Sequence, residues 1–264
     1  MLLFIAFFTF ACDKSSNNTS ITTATTTDDS VVIEVNPTHF LTAGLTESIT
    51  QISQKLADGS TVMCYKIVSN NTPSDHTQGP WCPTNINDGI DKGGIWFEAG
   101  KLYDVDGPFI KNLATFYSNT TWKLYNSTTG AINVTDTKAA CEAAARPNVD
   151  PLYKNYCVQC LPSYFPGIKK IYYIPVKPVK SNNTTPIMGM GGVVGIAFNG
   201  INFDPPAPTQ AILGAYTLAP FDDAGGHVNG ATGYHYHAAT GKSTKIKQTD
   251  AHAAMIGYAM DGYG

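Results

Sequence analysis

Four of the six histidines in this 264-residue chain fall within 26 residues: His227, His235, His237 and His252. Two of them lie in Tyr234-His235-Tyr236-His237, which alternates phenol and imidazole. On a strand, residues two apart project to the same face, so both imidazoles share one face and both phenols the other. Two imidazoles so placed, with His227 or His252 as a third, are the donor set of a metal site with an open coordination position. Asp222, Asp223 and Asp261 are the nearby oxygen donors. Nitrogen-rich ligation favours zinc, copper, nickel or iron over magnesium or calcium, with zinc and copper the first choices. The competing reading is a metal-free polar network of imidazoles, phenols and carbonyls.

The elements that must position these residues are short and β-like. Gly225-Gly226 precedes His227 and Gly233 precedes Tyr234, so the backbone can bend closely around the cluster. Residues 195–201 (GIAFNGI) and 257–263 (GYAMDGY) repeat one pattern. Asn-Gly or Asp-Gly between apolar residues is a strong hairpin signal, with positive φ expected at both turn residues. The repeat therefore predicts two equivalent hairpins in one small barrel or sandwich.

Upstream, Thr61–Val68 reads as a strand, and residues 94–105 read as two strands joined at Gly100. Lys169–Val179 reads as an extended strand punctuated by proline. A short helix is expected around Asn112–Tyr117. The best helical signal is Asp136–Ala145, rich in alanine, with Thr135 or Asp136 as its cap. Asp104-Val105-Asp106-Gly107 reads as a turn. His76, in Asp75-His76-Thr77-Gln78-Gly79-Pro80-Trp81-Cys82, belongs to a loop pinned by a disulfide and packed by Trp81, or else joins the histidine cluster. The polar run at 181–185 is the expected boundary between a disulfide-bearing, β-rich region with minor helix (31–185) and a glycine-rich β domain (186–264).

Charged residues make up only 14% of the chain and net charge is −3, which removes the basic footprint that nucleic-acid binding requires. Hydrophobic residues at 43% suffice for a core. No glutamate follows Glu142, so the C-terminal half has no H-E-x-x-H protease motif. A G-x-S-x-G elbow and a phosphate-binding loop are also absent.

Residues 1–11 form an apolar run, interrupted only by Thr9, that ends at Cys12. The run is too short to span a bilayer and reads as a signal sequence. A small residue before cysteine, Ala11-Cys12, fits a lipid-attachment site, and one acylated Cys12 would tether the protein to a membrane. Simple cleavage is the alternative. Residues 13–30, almost entirely Ser, Thr, Asn and Asp, read as a disordered stalk. In an oxidising compartment Cys64, Cys82, Cys141, Cys157 and Cys160 read as disulfide formers. The expected bridges are Cys64–Cys82, and Cys141 with Cys157 or Cys160. Five is odd, so one thiol stays free or pairs between chains.

Phe221-Asp222, Gly225-Gly226-His227, Gly233 to His237, His252 and Met255 to Tyr263 together resemble the YHYH-domain family, and residues 195–203 fit its first conserved segment. The resemblance covers about 187–264. It implies a secreted or lipid-anchored bacterial protein of the cell envelope, and a domain whose C-terminal part continues past Gly264, but it implies no reaction. Three functions are then in play. The first is a binding module that holds a transition metal through His227, His235, His237 and His252, with Asp222 and Asp261 as oxygen donors. The second is a metal-dependent hydrolase or oxidoreductase with Asp261 or Asp222 as base. The third is a metal-free surface or adhesion module. Expected partners are a membrane through the lipid anchor only, no nucleic acid, and an unspecified small molecule or polysaccharide.

Overall fold

In the computed structural model, described for residues 34–146, 148–180, 192–207, 209–249 and 251–264, ten short strands and three helices are mostly joined by turns and 3-10 segments. The apolar N-terminal run, Cys12, the polar stalk and the 181–185 break lie outside the described residues. Among the described residues the chain is mainly β, and none of the sheets closes into a barrel.

The β-branched run at 61–68 forms the central strand of the first sheet. There β2 (Thr61–Ser69) lies between β1 (Thr50–Lys55) and β5 (Lys170–Pro175), both antiparallel to it. A hairpin follows at 94–105 as read, with β3 (Ile95–Glu98) and β4 (Lys101–Asp104) turning at Gly100.

Asp106 does not belong to an isolated turn. Its carboxylate accepts from Phe109 N at 2.7 Å and caps α1 (Gly107–Phe116), which therefore starts earlier than the apolar pattern alone indicates. The alanine-rich helix α2 (Lys138–Ala144) is capped by Thr137, not Thr135 or Asp136, because Thr137 Oγ1 is the group that reaches Ala140 N. Thr135 is instead buried, its hydroxyl bonded to Gln159.

The second sheet carries the histidines. Its order is β10 (Gly257–Ala259), β6 (Gly195–Ala197), β7 (Asn202–Phe203), β9 (Gly233–Tyr236) and β8 (Gly226–Asn229). Only β7 and β9 run parallel. The two repeats pair with each other, Gly257 opposite Ala197 and Ala259 opposite Gly195. Their turns share one hydrogen-bond pattern. Ala197 N donates to Ile201 O and Gly200 N to Ala197 O; Ala259 N donates to Tyr263 O and Gly262 N to Ala259 O. Positive φ falls only on the glycines, +87° at Gly200 and +91° at Gly262, and not on Asn199 or Asp261. Those two side chains instead accept from the second residue onward, at Ile201 N and Tyr263 N, which fixes a different turn from the one expected.

Three buried clusters hold these elements together, and each draws side chains from both sides of residues 181–191. Trp81, Cys141 and Cys160 pack with Ile201, Tyr234 and Tyr236; Trp96, Trp122 and Leu113 with Leu218 and Phe221; Ile67 and Ile174 with Ile196, Phe198 and Tyr258.

The disulfide pairing differs from expectation in one bridge. Cys82 bonds Cys157 and Cys141 bonds Cys160, while Cys64 is a buried free thiol. Cys64 sits in the middle of β2 opposite Ile52 and Pro175, and only 1% of its surface is exposed. The strand therefore places its sulfur among sheet neighbours, while Cys82 lies in the cluster that contains Cys157. Burial also pushes the Cys64 thiol up, away from the reactive thiolate. Non-reducing peptide mapping should recover Cys82–Cys157 and Cys141–Cys160, with Cys64 alkylated only after denaturation. Alkylation of Cys64 in the folded protein would contradict this packing.

Candidate metal centre

The site is built by register. In the antiparallel β8–β9 pair His227 stands directly opposite His235, and His237 follows two residues after His235. Cross-strand pairing and the two-residue period therefore deliver three imidazoles to one face. Their ring centroids are 4.7, 4.8 and 5.0 Å apart, with planes crossing at 69°, 81° and 87°. One nitrogen from each lies within 4.8 Å of the other two. Phe221 packs on His227 and His237, centroids 4.9 and 5.5 Å away, and walls the cluster on one side.

Backbone carbonyls anchor all three rings. His235 Nδ1 donates to Gly233 O at 2.9 Å and His237 Nδ1 to Pro205 O at 2.7 Å, and His227 bonds the Pro220 carbonyl. A carbonyl oxygen can only accept, so Nδ1 carries the hydrogen in His235 and His237. In a neutral imidazole Nε2 is then a bare lone pair. Yet His235 Nε2 and His237 Nε2 face each other at 3.1 Å. Burial pushes both rings down to about 4, and His227, held down first by burial and then by its two neighbours, lies well below the usual imidazole range. All three rings are therefore neutral at neutral pH. Two lone pairs so placed repel unless a cation lies between them. Two Nε2 ligands on one tetrahedral zinc would be about 3.3 Å apart, close to the spacing found.

A carboxylate absent from the sequence reading completes the surroundings. Asp204 Oδ2 is 3.8 Å from His235 Nε2, and Asn202 Nδ2 donates to Asp204 Oδ1. Burial pushes the Asp204 carboxyl up, opposed mainly by His237 and by the bond from Asn202. Asp204 immediately follows β7, whose parallel pairing with β9 carries it alongside the histidines. The only sequence trace of this is its position after the first repeat. The imidazoles and Asp204 open onto a cavity of about 550 Å³, walled by Trp81, Val158, Ile212 and Val228.

Three expected ligands lie elsewhere. Among the described residues, His252 is outside the cluster of imidazole nitrogens and is exposed. Asp261 is an exposed turn residue that accepts from Tyr263 N. Asp222 is fully buried, but its carboxylate is occupied by Gly79 N, Ala224 N, Gly226 N and the Tyr234 hydroxyl. It braces the turn that leads into β8.

The phenols face the other way, into a second polar network. His76 Nε2 lies 3.2 Å from Tyr234 Oη and 3.4 Å from Tyr236 Oη, and His76 Nδ1 meets Asp75 Oδ1 at 2.8 Å. Asn199 Nδ2 donates to both Asp75 and Tyr236 Oη at 2.8 Å. His76 thus belongs to the phenol face of β9 and not to the imidazole cluster, while Trp81 packs in the core as expected and donates to Gly226 O. Since Tyr236 Oη points away from the imidazoles, Tyr236→Phe should leave metal content unchanged when measured by elemental analysis. Loss of metal in that variant would overturn the two-faced geometry.

Burial alone would push the Asp75 carboxyl up, but bonds from Asn199, Thr244 and His76 outweigh it and hold the group below the usual carboxylate range. A depressed folded-state pKa stabilises above the unfolded value, about 3.9, and that stabilisation is lost as pH falls through the folded value. Asp75→Asn should therefore cost about 1–3 kcal/mol at pH 7, with the gap to wild type closing toward pH 3. Denaturant unfolding at the two pH values reads this directly, and a gap independent of pH would contradict it.

Residues 171–264 match the family model described as YHYH protein. No curated protein and no solved structure gives a significant match.

Proposed function

We propose that the histidine cluster, which lies within the residues that match the YHYH protein family (171–264), works as a transition-metal site, with His227, His235 and His237 as ligands and zinc or copper as the ion. The observation that carries this reading is the 3.1 Å approach of His235 Nε2 and His237 Nε2 while each Nδ1 is bonded to a carbonyl. Carbonyl bonds at the distal nitrogens are also the outer contacts by which metal-binding imidazoles are oriented. Elemental analysis of the purified chain, together with the histidine variants considered in the Discussion, tests the reading.

A metal-dependent hydrolase or oxidoreductase is the second reading, favoured by one further observation. The three imidazoles face a cavity of about 550 Å³ rather than packed side chains, which leaves a coordination position open to a ligand. In that reading Asp204, and not Asp222 or Asp261, is the carboxylate placed to take a proton from a metal-activated water.

The same proposal places the protein outside the cytoplasm, held by a lipid on Cys12. It is supported by the apolar run before Cys12 and by two disulfides, which persist in oxidising compartments. Among the described residues no helix is long and apolar enough to cross a membrane.

A further inference from the structure

Arg146 is the only arginine in the chain, and it lies on the wall of the cavity that the histidines face. It lies two residues past α2, whose last residue Ala144 and C-cap Ala145 line the same wall. Its Nε donates to Glu142 O at 2.8 Å, which fixes the start of the guanidinium plane. Among the described residues no carboxylate pairs with it. Among the described residues no lysine lines the cavity, so this guanidinium is the one permanent cation on its wall; Lys170 acts on Asp204 and His235 without lining it. The rest of the wall is mostly apolar, and the polar groups gather at the histidine end with Asp204, Asn229 and Thr232.

We propose that the cavity takes an apolar monocarboxylate, with the ligand's carboxylate on the Arg146 guanidinium and its hydrocarbon body against Trp81, Val158, Ile212 and Val228. Arg146 is exposed, and its guanidinium offers a planar fork that matches a carboxylate. One permanent cation on a mostly apolar wall suits a ligand with a single negative charge. A volume of about 550 Å³ is that of a small-molecule site. The imidazoles line the same cavity, so a ligand held there shares it with the proposed metal. That last step rests on the proposed metal site, whereas the Arg146 contact does not.

The test is titration calorimetry of the full chain with octanoate and its neutral counterpart octanamide, in zinc-loaded and metal-stripped protein. Octanoate should bind more tightly than octanamide in both states. Arg146→Gln should weaken octanoate at least about ten-fold and leave octanamide within about two-fold, and Arg146→Lys should restore part of the loss. Metal content should be unchanged in Arg146→Gln. Equal affinity for the two probes, no binding of either, or octanoate binding insensitive to Arg146→Gln would overturn the proposal. Octanoate binding that vanishes on metal stripping, yet ignores Arg146→Gln, would place the carboxylate on the metal instead and would also overturn it. A chain that binds no metal but shows the Arg146 dependence would sink the metal reading and leave the carboxylate site standing.

Discussion

Replacing His235 and His237 together by alanine should abolish metal binding by the purified protein. Wild type should carry about one equivalent of zinc or copper per chain, and the double variant less than about a tenth of that. The size of the effect follows from the ligand set. The three imidazoles each offer one nitrogen, all within 4.8 Å of one another, and the variant deletes two of them. The remaining His227 offers a single nitrogen, and Asp204 only a neighbouring carboxylate. The same metal should also stabilise the folded chain. At a free concentration one hundred times Kd, binding adds about 2.7 kcal/mol. Added zinc should therefore raise the melting temperature of wild type and leave that of the double variant unmoved. The phenol network on the opposite face keeps its own bonds, so the near-ultraviolet signal of Tyr234 and Tyr236 reports whether the variant is folded. A folded double variant with its full metal content would place the ion elsewhere and end the proposed function.

Substituting Gly257 by alanine should cost more stability than any single histidine change. Gly257 opens the second repeat and lies opposite Ala197 of the first. A Cβ there would sit 2.2 Å from the Ile196 carbonyl oxygen and 2.8 Å from the Ala197 Cα. Both obstacles are backbone atoms of a buried strand and have nowhere to go. Relief requires β10 to move away from β6, which also lifts Tyr258 from its packing on Phe198 and Phe40. We expect a loss of at least about 3 kcal/mol by denaturant unfolding. The histidines lie at the far side of the same sheet, beyond β7, so a folded remnant should still bind metal. Gly257→Ala with wild-type stability would mean that the two repeats do not pair as described.

Adjacent residues fixed much of the local structure. The alternation of Tyr234 to His237 set the two faces of β9, because side-chain direction along a strand is a property of the backbone itself. The alanine-rich helix, the strand at 61–68 and the hairpin at Gly100 are local for the same reason, and so is the family resemblance. Even there the chain left choices between near neighbours. Thr137 caps α2 in place of Thr135, since Thr135 is drawn into contact with Gln159.

Tertiary structure decided everything that depends on partners distant in sequence. His227 entered the site because the β8–β9 register sets it opposite His235, while His252, equally eligible by type, lies outside the imidazole cluster. Asp204 arrived through the parallel pairing of β7 with β9, and Asp222 was consumed by hydrogen bonds to the turn before β8. Cys82 found Cys157 across 75 residues, while Cys64 was held inside a sheet. Residue type states which bonds a side chain is able to make. Which of them it makes depends on what packing brings within about 3 Å, and that distance is set by the whole fold.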